Sequence, residues 1–227
     1  MLKNFLKKTN YKDPALNLSS TEFEVNNWIV SEFVVNRLLP VTGVHPFPLD
    51  ELMLMTATVC RFKPEIIFEW GTNVGKSARI FYEITSIFQI PCQIHSIDLP
   101  DDVYHNEHPQ KNRGKMVRGI DAVTLHQADG LVKSIEIYNE KKPQGNVLFF
   151  LDGDHSYETV KKELDTILKA IPHAIFLLHD TFYQSEDSGY NVGPRKAINE
   201  TVNTNTHTII STGMGLPGMS LVFKKLK

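Results

Sequence analysis

Two short stretches carry most of the reactive side chains. LDGDHSYE (151–158) places Asp152, Asp154, His155, Tyr157 and Glu158 after an apolar run, and LLHDTF (177–182) does the same for His179, Asp180 and Thr181. Clustered carboxylates without cysteine suit a hard cation such as Mg²⁺ or Mn²⁺. An imidazole titrates near neutral pH, so His155 or His179 is a candidate general base. A carboxylate closing an apolar strand is costly to bury unless it pairs or binds something, which favours a working role for Asp152 and Asp180. Asp154 and Ser156 can instead cap the helix that begins near Tyr157. DGDHS also approaches the D-x-D-x-[TV] phosphatase pattern, although that pattern normally opens a sheet at its first strand.

A third stretch, EWGTNVGKS (69–77), ends like a triphosphate-binding loop. The G-x-x-x-x-G-K-[ST] pattern needs a glycine where Trp70 stands, and Gly71 comes one residue too late. The G-x-G-x-x-G pattern fails as well, because position 73 is Asn. What remains is an acid, Glu69, ahead of two glycines that open a helix. Gly71 allows a tight turn and Gly75 a close approach of ligand to backbone. A carboxylate here repels a triphosphate but suits an ammonium or amide group. Lys76 then points to solvent. Asp98, at the end of QIHSID, can accept from ribose hydroxyls. Asp129, in HQADG, reads equally as a ligand contact or as a helix N-cap.

These residues need a scaffold that gathers them at one edge. EIIFE (65–69), VLFFL (147–151) and AIFLL (174–178) are short apolar runs suited to strands buried on both faces. QIHSID (93–98) and AVTLHQ (122–127) are weaker strands. Helical patterns lie between them, with Ile80, Phe81, Ile84, Ile87 and Phe88 on one face, and Val160, Leu164, Ile167, Leu168 and Ile171 on another. HTIIST (207–212) and MSLVFKK (219–225) form an antiparallel hairpin at one edge. The expected fold is a doubly wound α/β sheet of seven strands, mostly parallel, with helices on both faces. Two helices precede it, over 21–39, capped by Ser20 or Thr21, and from Pro48 to about Arg61. Residues 1–20 read as a loose arm. Long loops at 99–121 and 182–194 overhang the carboxyl edge of the sheet, where such folds bind ligands.

The 227 residues are 41% hydrophobic and 22% charged with a formal charge of -2, an ordinary balance that lacks the basic face of a nucleic-acid binder. Cys60 and Cys92 make no disulfide framework and no metal-binding pair. With neither a signal-peptide pattern nor an apolar run long enough for a bilayer, the chain reads as cytoplasmic, without membrane partners. A homo-oligomer stays open.

The motif Glu69-Trp-Gly71-Thr-Asn-Val-Gly75-Lys-Ser77 resembles motif I of class I S-adenosylmethionine-dependent methyltransferases. LDGDHSYETVKKELDTIL followed by AIFLLHDTF is similar to the group that includes macrocin-type O-methyltransferases and cephalosporin hydroxylase-like proteins, and NVGPRKAINE (191–200) resembles its helix after the fifth strand. The resemblance spans about 50–225. It implies a Rossmann-like domain over 51–227, with 1–50 as a helical arm and substrate cap. It implies O-methylation of a small hydroxylated acceptor, a sugar or other natural product. Glu69, Gly71 and Ser77 would surround the methionine part of the cofactor, and Thr72, Asn73 and Gly75 would also bind the cofactor. Asp98 would hold the ribose, Ala128 and Asp129 would lie near the adenine, and Asp152 would sit beside the sulfonium. Asp152, Asp180 and Thr181 would hold Mg²⁺ or another divalent cation, with Asp152, His155, His179 and Asp180 in catalysis. Thr181 stands where related metal-dependent enzymes carry Asn, and Pro-His-Ala (172–174) replaces a usual glycine pair. A non-catalytic cofactor-binding protein and a metal-dependent phosphohydrolase are the alternatives.

Overall fold

Strands here are short runs of Ile, Val, Leu and Phe whose alternate side chains enter two separate cores. Phe68 and Phe149 face one side of the sheet, Ile67 and Phe150 the other. The structure is a computed structural model and describes residues 11–103, 110–188 and 191–226. Its strands are β1 (Ile66–Trp70), β2 (Gln93–Asp98), β3 (Val123–Gln127), β4 (Val147–Leu151), β5 (Ile175–His179), β6 (His207–Ser211) and β7 (Met219–Lys224). They form one sheet in the order β3-β2-β1-β4-β5-β7-β6. The first five are parallel, and β7 runs antiparallel to both β5 and β6. The expected hairpin is therefore present, with its second strand docked against β5.

Helices cover both faces. α1 (Asn27–Phe33) continues through a π-helical segment (Val34–Leu38) into α2 (Leu39–Thr42), and α3 (Leu49–Phe62) and α4 (Lys76–Ile87) pack beside it. Val30, Phe33, Val34, Leu52, Met55, Phe81 and Ile84 are fully buried in that layer. On the opposite face, α5 (Gly130–Lys141), α6 (Tyr157–Ala170) and α7 (Val192–Thr201) bury Ile137, Leu164, Ile167, Ala197 and Ile198. Rings of Phe68, Phe149 and Phe176 run across β1, β4 and β5 with centroids 5.1 and 5.8 Å apart.

The N-terminal region departs from expectation. The first helix starts at Asn27, because Asn26 caps it through Trp28 and Ile29 N–H, and neither Ser20 nor Thr21 does so. Residues 11–20 are not loose. Tyr11 packs edge-on against Phe33 at 5.6 Å, and Pro14 O accepts from Asn26 N–H. Residues 1–10 of the expected arm, 104–109 of the first long loop and 189–190 of the second lie outside the described residues.

Candidate functional site

The order of the strands reverses between β1 and β4, so their loops part and leave a crevice at the carboxyl edge. The glycine loop lies there. Gly71 sits at φ +89°, and a Cβ on it would lie 2.2 Å from Asp152 O. Only glycine lets the β1 and β4 ends come this close. Gly75, at φ +85°, opens α4 in the left-handed conformation. Asn73 N–H donates to Asp98 Oδ2 at 3.2 Å, and Thr72 and Ser96 share a hydroxyl hydrogen bond of 2.7 Å.

Glu69 is fully buried between Ser96 of β2 and Phe150 of β4. Ser77 Oγ donates to its Oε1. Its Oε2 has no protein partner. Burial pushes Glu69 up to about 7, against the hydrogen bond of Ser77 and with help from the nearby Asp152 and Asp98 charges. A buried, unsatisfied acceptor beside a glycine turn fits a cationic donor group such as an ammonium. Lys76 does not point to solvent: it is half-buried, its Nζ donates to His45 O, and burial lowers its pKa.

Asp98 is 8% exposed and already well supplied. Leu99 N–H donates to Oδ1 at 2.9 Å, while Asn73 N–H and Arg113 Nε both reach Oδ2. Arg113 comes from the loop after β2, whose Gly114 and Met116 N–H groups donate to Asn73 O and Val74 O. Ala128 N–H donates to Asp98 O at 2.8 Å, which sets Ala128 beside Asp98. Of the two readings of Asp129, the structure displays the cap: its carboxylate accepts from Val132 N–H at the start of α5.

The acidic cluster assembles where β4 and β5 end side by side. Leu151 pairs with Leu178, which brings Asp152 next to His179. His179 Nδ1 lies 2.9 Å from Asp152 Oδ1 and 3.4 Å from Asp180 Oδ2. On the ring's other side, Nε2 lies 3.0 Å from Glu51 Oε2. Burial pulls the imidazole down, but Asp152, Asp180 and Glu51 outweigh it and push His179 up to about 12. Three carboxylates thus surround His179, while His155 stands at the edge of the cluster. Its Nε2 is 3.2 Å from Asp180 Oδ2 and 3.9 Å from Asp152 Oδ1, and its side chain is 31% exposed. Asp154 lies outside this cluster: it accepts from Ser156 N–H and the Thr159 hydroxyl, while Ser156 caps α6 through Thr159 N–H.

Asp152, His179 and Asp180 each offer an atom within 4.8 Å of the others, the one such group of three among the described residues. Two carboxylates and an imidazole make a donor set for a hard or borderline divalent cation. The hydroxyl of Thr181, the next residue, is hydrogen-bonded to Ser220 Oγ of β7 at 2.8 Å. Sequence reasoning missed Glu51, which looks like an ordinary acid in a helical first turn. Its only local signal is its place in a helix that is otherwise mostly apolar. Beside Thr181 a cavity of about 900 Å³ runs between Phe182, Tyr183, Arg195, Lys196 and Thr212.

The model of the family described as Rhamnosyl O-methyltransferase/CmcI matches residues 44–215. No curated protein matches the chain significantly. Among solved structures, a candidate O-methyltransferase from Klebsiella pneumoniae is 20% identical with a TM-score of 0.55, over 86% of this chain and 90% of that one. An O-methyltransferase from Bacillus cereus, in complex with SAH, is 14% identical with a TM-score of 0.55, over 86% and 90%. CalS11, a TDP-rhamnose 3'-O-methyltransferase of calicheamicin biosynthesis, is 15% identical with a TM-score of 0.55, over 85% and 86%. At these identities the likeness is one of fold.

Proposed function

The chain belongs to the Rhamnosyl O-methyltransferase/CmcI family, and from that premise we propose that it methylates a hydroxyl of a sugar or related natural product. Membership makes the chain a methyltransferase. The donor we assign is S-adenosylmethionine, as the SAH-bound Bacillus cereus relative suggests. The observation that carries this reading is the buried Glu69, with Oε2 unsatisfied, beside a Gly71 turn that no side chain can occupy.

On this reading Glu69 and Ser77 hold the ammonium end of the donor, and Asp98 holds the ribose. Thr72, Asn73, Gly75 and Ala128 line the same pocket. Asp129 reaches the adenine only through its backbone, since its carboxylate caps α5. Asp152, His179 and Asp180 hold a divalent cation, with His179 in the place first expected for Thr181. A cation held there would supply Lewis-acid chemistry that lowers the pKa of an acceptor hydroxyl, with His179 binding it as the neutral imidazole. S-adenosylmethionine supplies the methyl group: its carbon–sulfur bond breaks as the carbon–oxygen bond forms.

The protein's part is placement and proton removal. Asp152 lies against the glycine turn on one side and the imidazole cluster on the other, so it aligns the acceptor oxygen with the methyl carbon. His155, partly exposed, with Nε2 3.2 Å from Asp180 Oδ2 but without a hydrogen-bond partner, takes the hydroxyl proton on that atom. The cavity beside Thr181 receives the rest of the acceptor. Residues 1–50 would form its cap, and Phe47 already stands over His179 with rings 4.9 Å apart.

Calorimetric titration with S-adenosylhomocysteine and with ATP tests the reading. Tight binding of the first and none of the second is expected; a preference for ATP sinks it.

A further inference from the structure

The residue that links the cation site to the rest of the molecule is Glu51. It stands in the first turn of α3 and is 1% exposed. Its two oxygens have different partners. Oε1 accepts from Gly218 N–H at 2.8 Å, and Oε2 faces His179 Nε2 at 3.0 Å. Gly218 closes the turn before β7, where its carbonyl accepts from Thr181 N–H. A buried carboxylate with two hydrogen bonds is tolerable, but each bond must be kept, because an unmade one costs the full desolvation penalty.

Building on the cation reading above, we propose that Glu51 is a positioning residue for the cation site. As a carboxylate it only accepts hydrogen bonds, so it assigns a proton to His179 Nε2. Nδ1 is thereby left as the ligand atom facing Asp152 and Asp180. The outer partner of a ligating histidine fixes its tautomer and ring orientation in this way. Through Gly218, Glu51 also anchors the turn that holds Thr181 to the same point.

Glu51→Gln tests the assignment with almost no change of shape. The amide oxygen can take over Gly218 N–H. The amide nitrogen then faces His179 Nε2 and donates, so the ring must present a bare Nε2 and carry its proton on Nδ1. Two measurements decide. In ¹⁵N NMR of the metal-free protein, His179 is expected to be protonated on both nitrogens in the wild type and on Nδ1 alone in E51Q. In Mn²⁺ titration, E51Q is expected to bind about 10–100-fold more weakly, with S-adenosylhomocysteine affinity unchanged. Glu51→Asp, still a carboxylate, should keep the Nε2 proton and most of the Mn²⁺ affinity. Should E51Q not fold, E51D against E51N provides the same contrast. A proton that stays on Nε2 in the amide variant, or Mn²⁺ affinity within twofold of wild type, overturns the role of Glu51. Wild-type protein that binds no Mn²⁺ overturns the cation reading itself, and does so without any variant.

Discussion

Arg113 and Asp98 form a buried ion pair: Nε lies 3.2 Å from Oδ2, with side chains 7% and 8% exposed. The acid assigned to the ribose is thus held from one side by the loop that follows β2. Arg113 is also bound to Asp101 Oδ1 at 2.7 Å, so the guanidinium has a second anchor at the pocket's rim. Oδ2 already accepts two hydrogen bonds, and the open lone pair of Asp98 is on Oδ1.

From this follows the effect of Asp98→Asn. The charged acceptor is lost while the shape is kept, and a hydrogen bond to a charged group is worth about 1.5–3 kcal/mol. S-adenosylhomocysteine affinity, measured by calorimetry, should fall by about 10–100-fold. Unchanged affinity would place the ribose elsewhere.

Glu69 gives a pH signature. Its ordinary value is 4.5 and burial lifts it to about 7. Between these values the native state binds more protons than the unfolded state, so this group makes stability fall as pH rises through that window, and level off above it. The contribution is at most about 3 kcal/mol. Urea unfolding at pH 5 and pH 7.5 should show Glu69→Gln gaining on the wild type at the higher pH. Parallel curves would mean that Glu69 titrates normally.

Asp152→Ala should abolish turnover, because Asp152 faces His179, the proposed cation and the glycine turn together. A chelator should abolish it too. Activity that survives chelation but not His155→Ala would leave the imidazole as base with no cation involved.

Gly71→Ala should disturb the fold itself. The added Cβ would meet a backbone carbonyl at 2.2 Å, at a φ that L residues rarely adopt. A loss of about 1–3 kcal/mol or more is expected by chemical denaturation. A stable variant with full cofactor affinity would show that β1 and β4 can separate without harm.

The sheet was readable because its signal is local. Runs such as VLFFL and AIFLL carry their burial in their composition, and all seven strands lie where those runs stand. The strand-end positions of Glu69, Asp98, Asp152, His179 and Asp180 were readable for the same reason. Asp154 and Asp129 were ambiguous because a cap and a ligand use the same side-chain oxygen; Asp129 does cap α5 through Val132 N–H, whereas the cap of α6 is Ser156 and Asp154 braces the turn before it.

By itself, the sequence determined the order of strands and helices, the turn at Gly71 and the carboxylates at the β4 and β5 ends, since each depends on neighbours a few residues away. Tertiary structure alone decided that Glu51 meets His179 across 128 positions and Gly218 across 167, and that Arg113 covers Asp98. It also turned Thr181 to Ser220 and set Glu51, Asp152 and Asp180 around His179. The physical reason is that hydrogen-bond partners and buried charges depend on which groups share a volume. Folding brings those groups together over distances that no local pattern records.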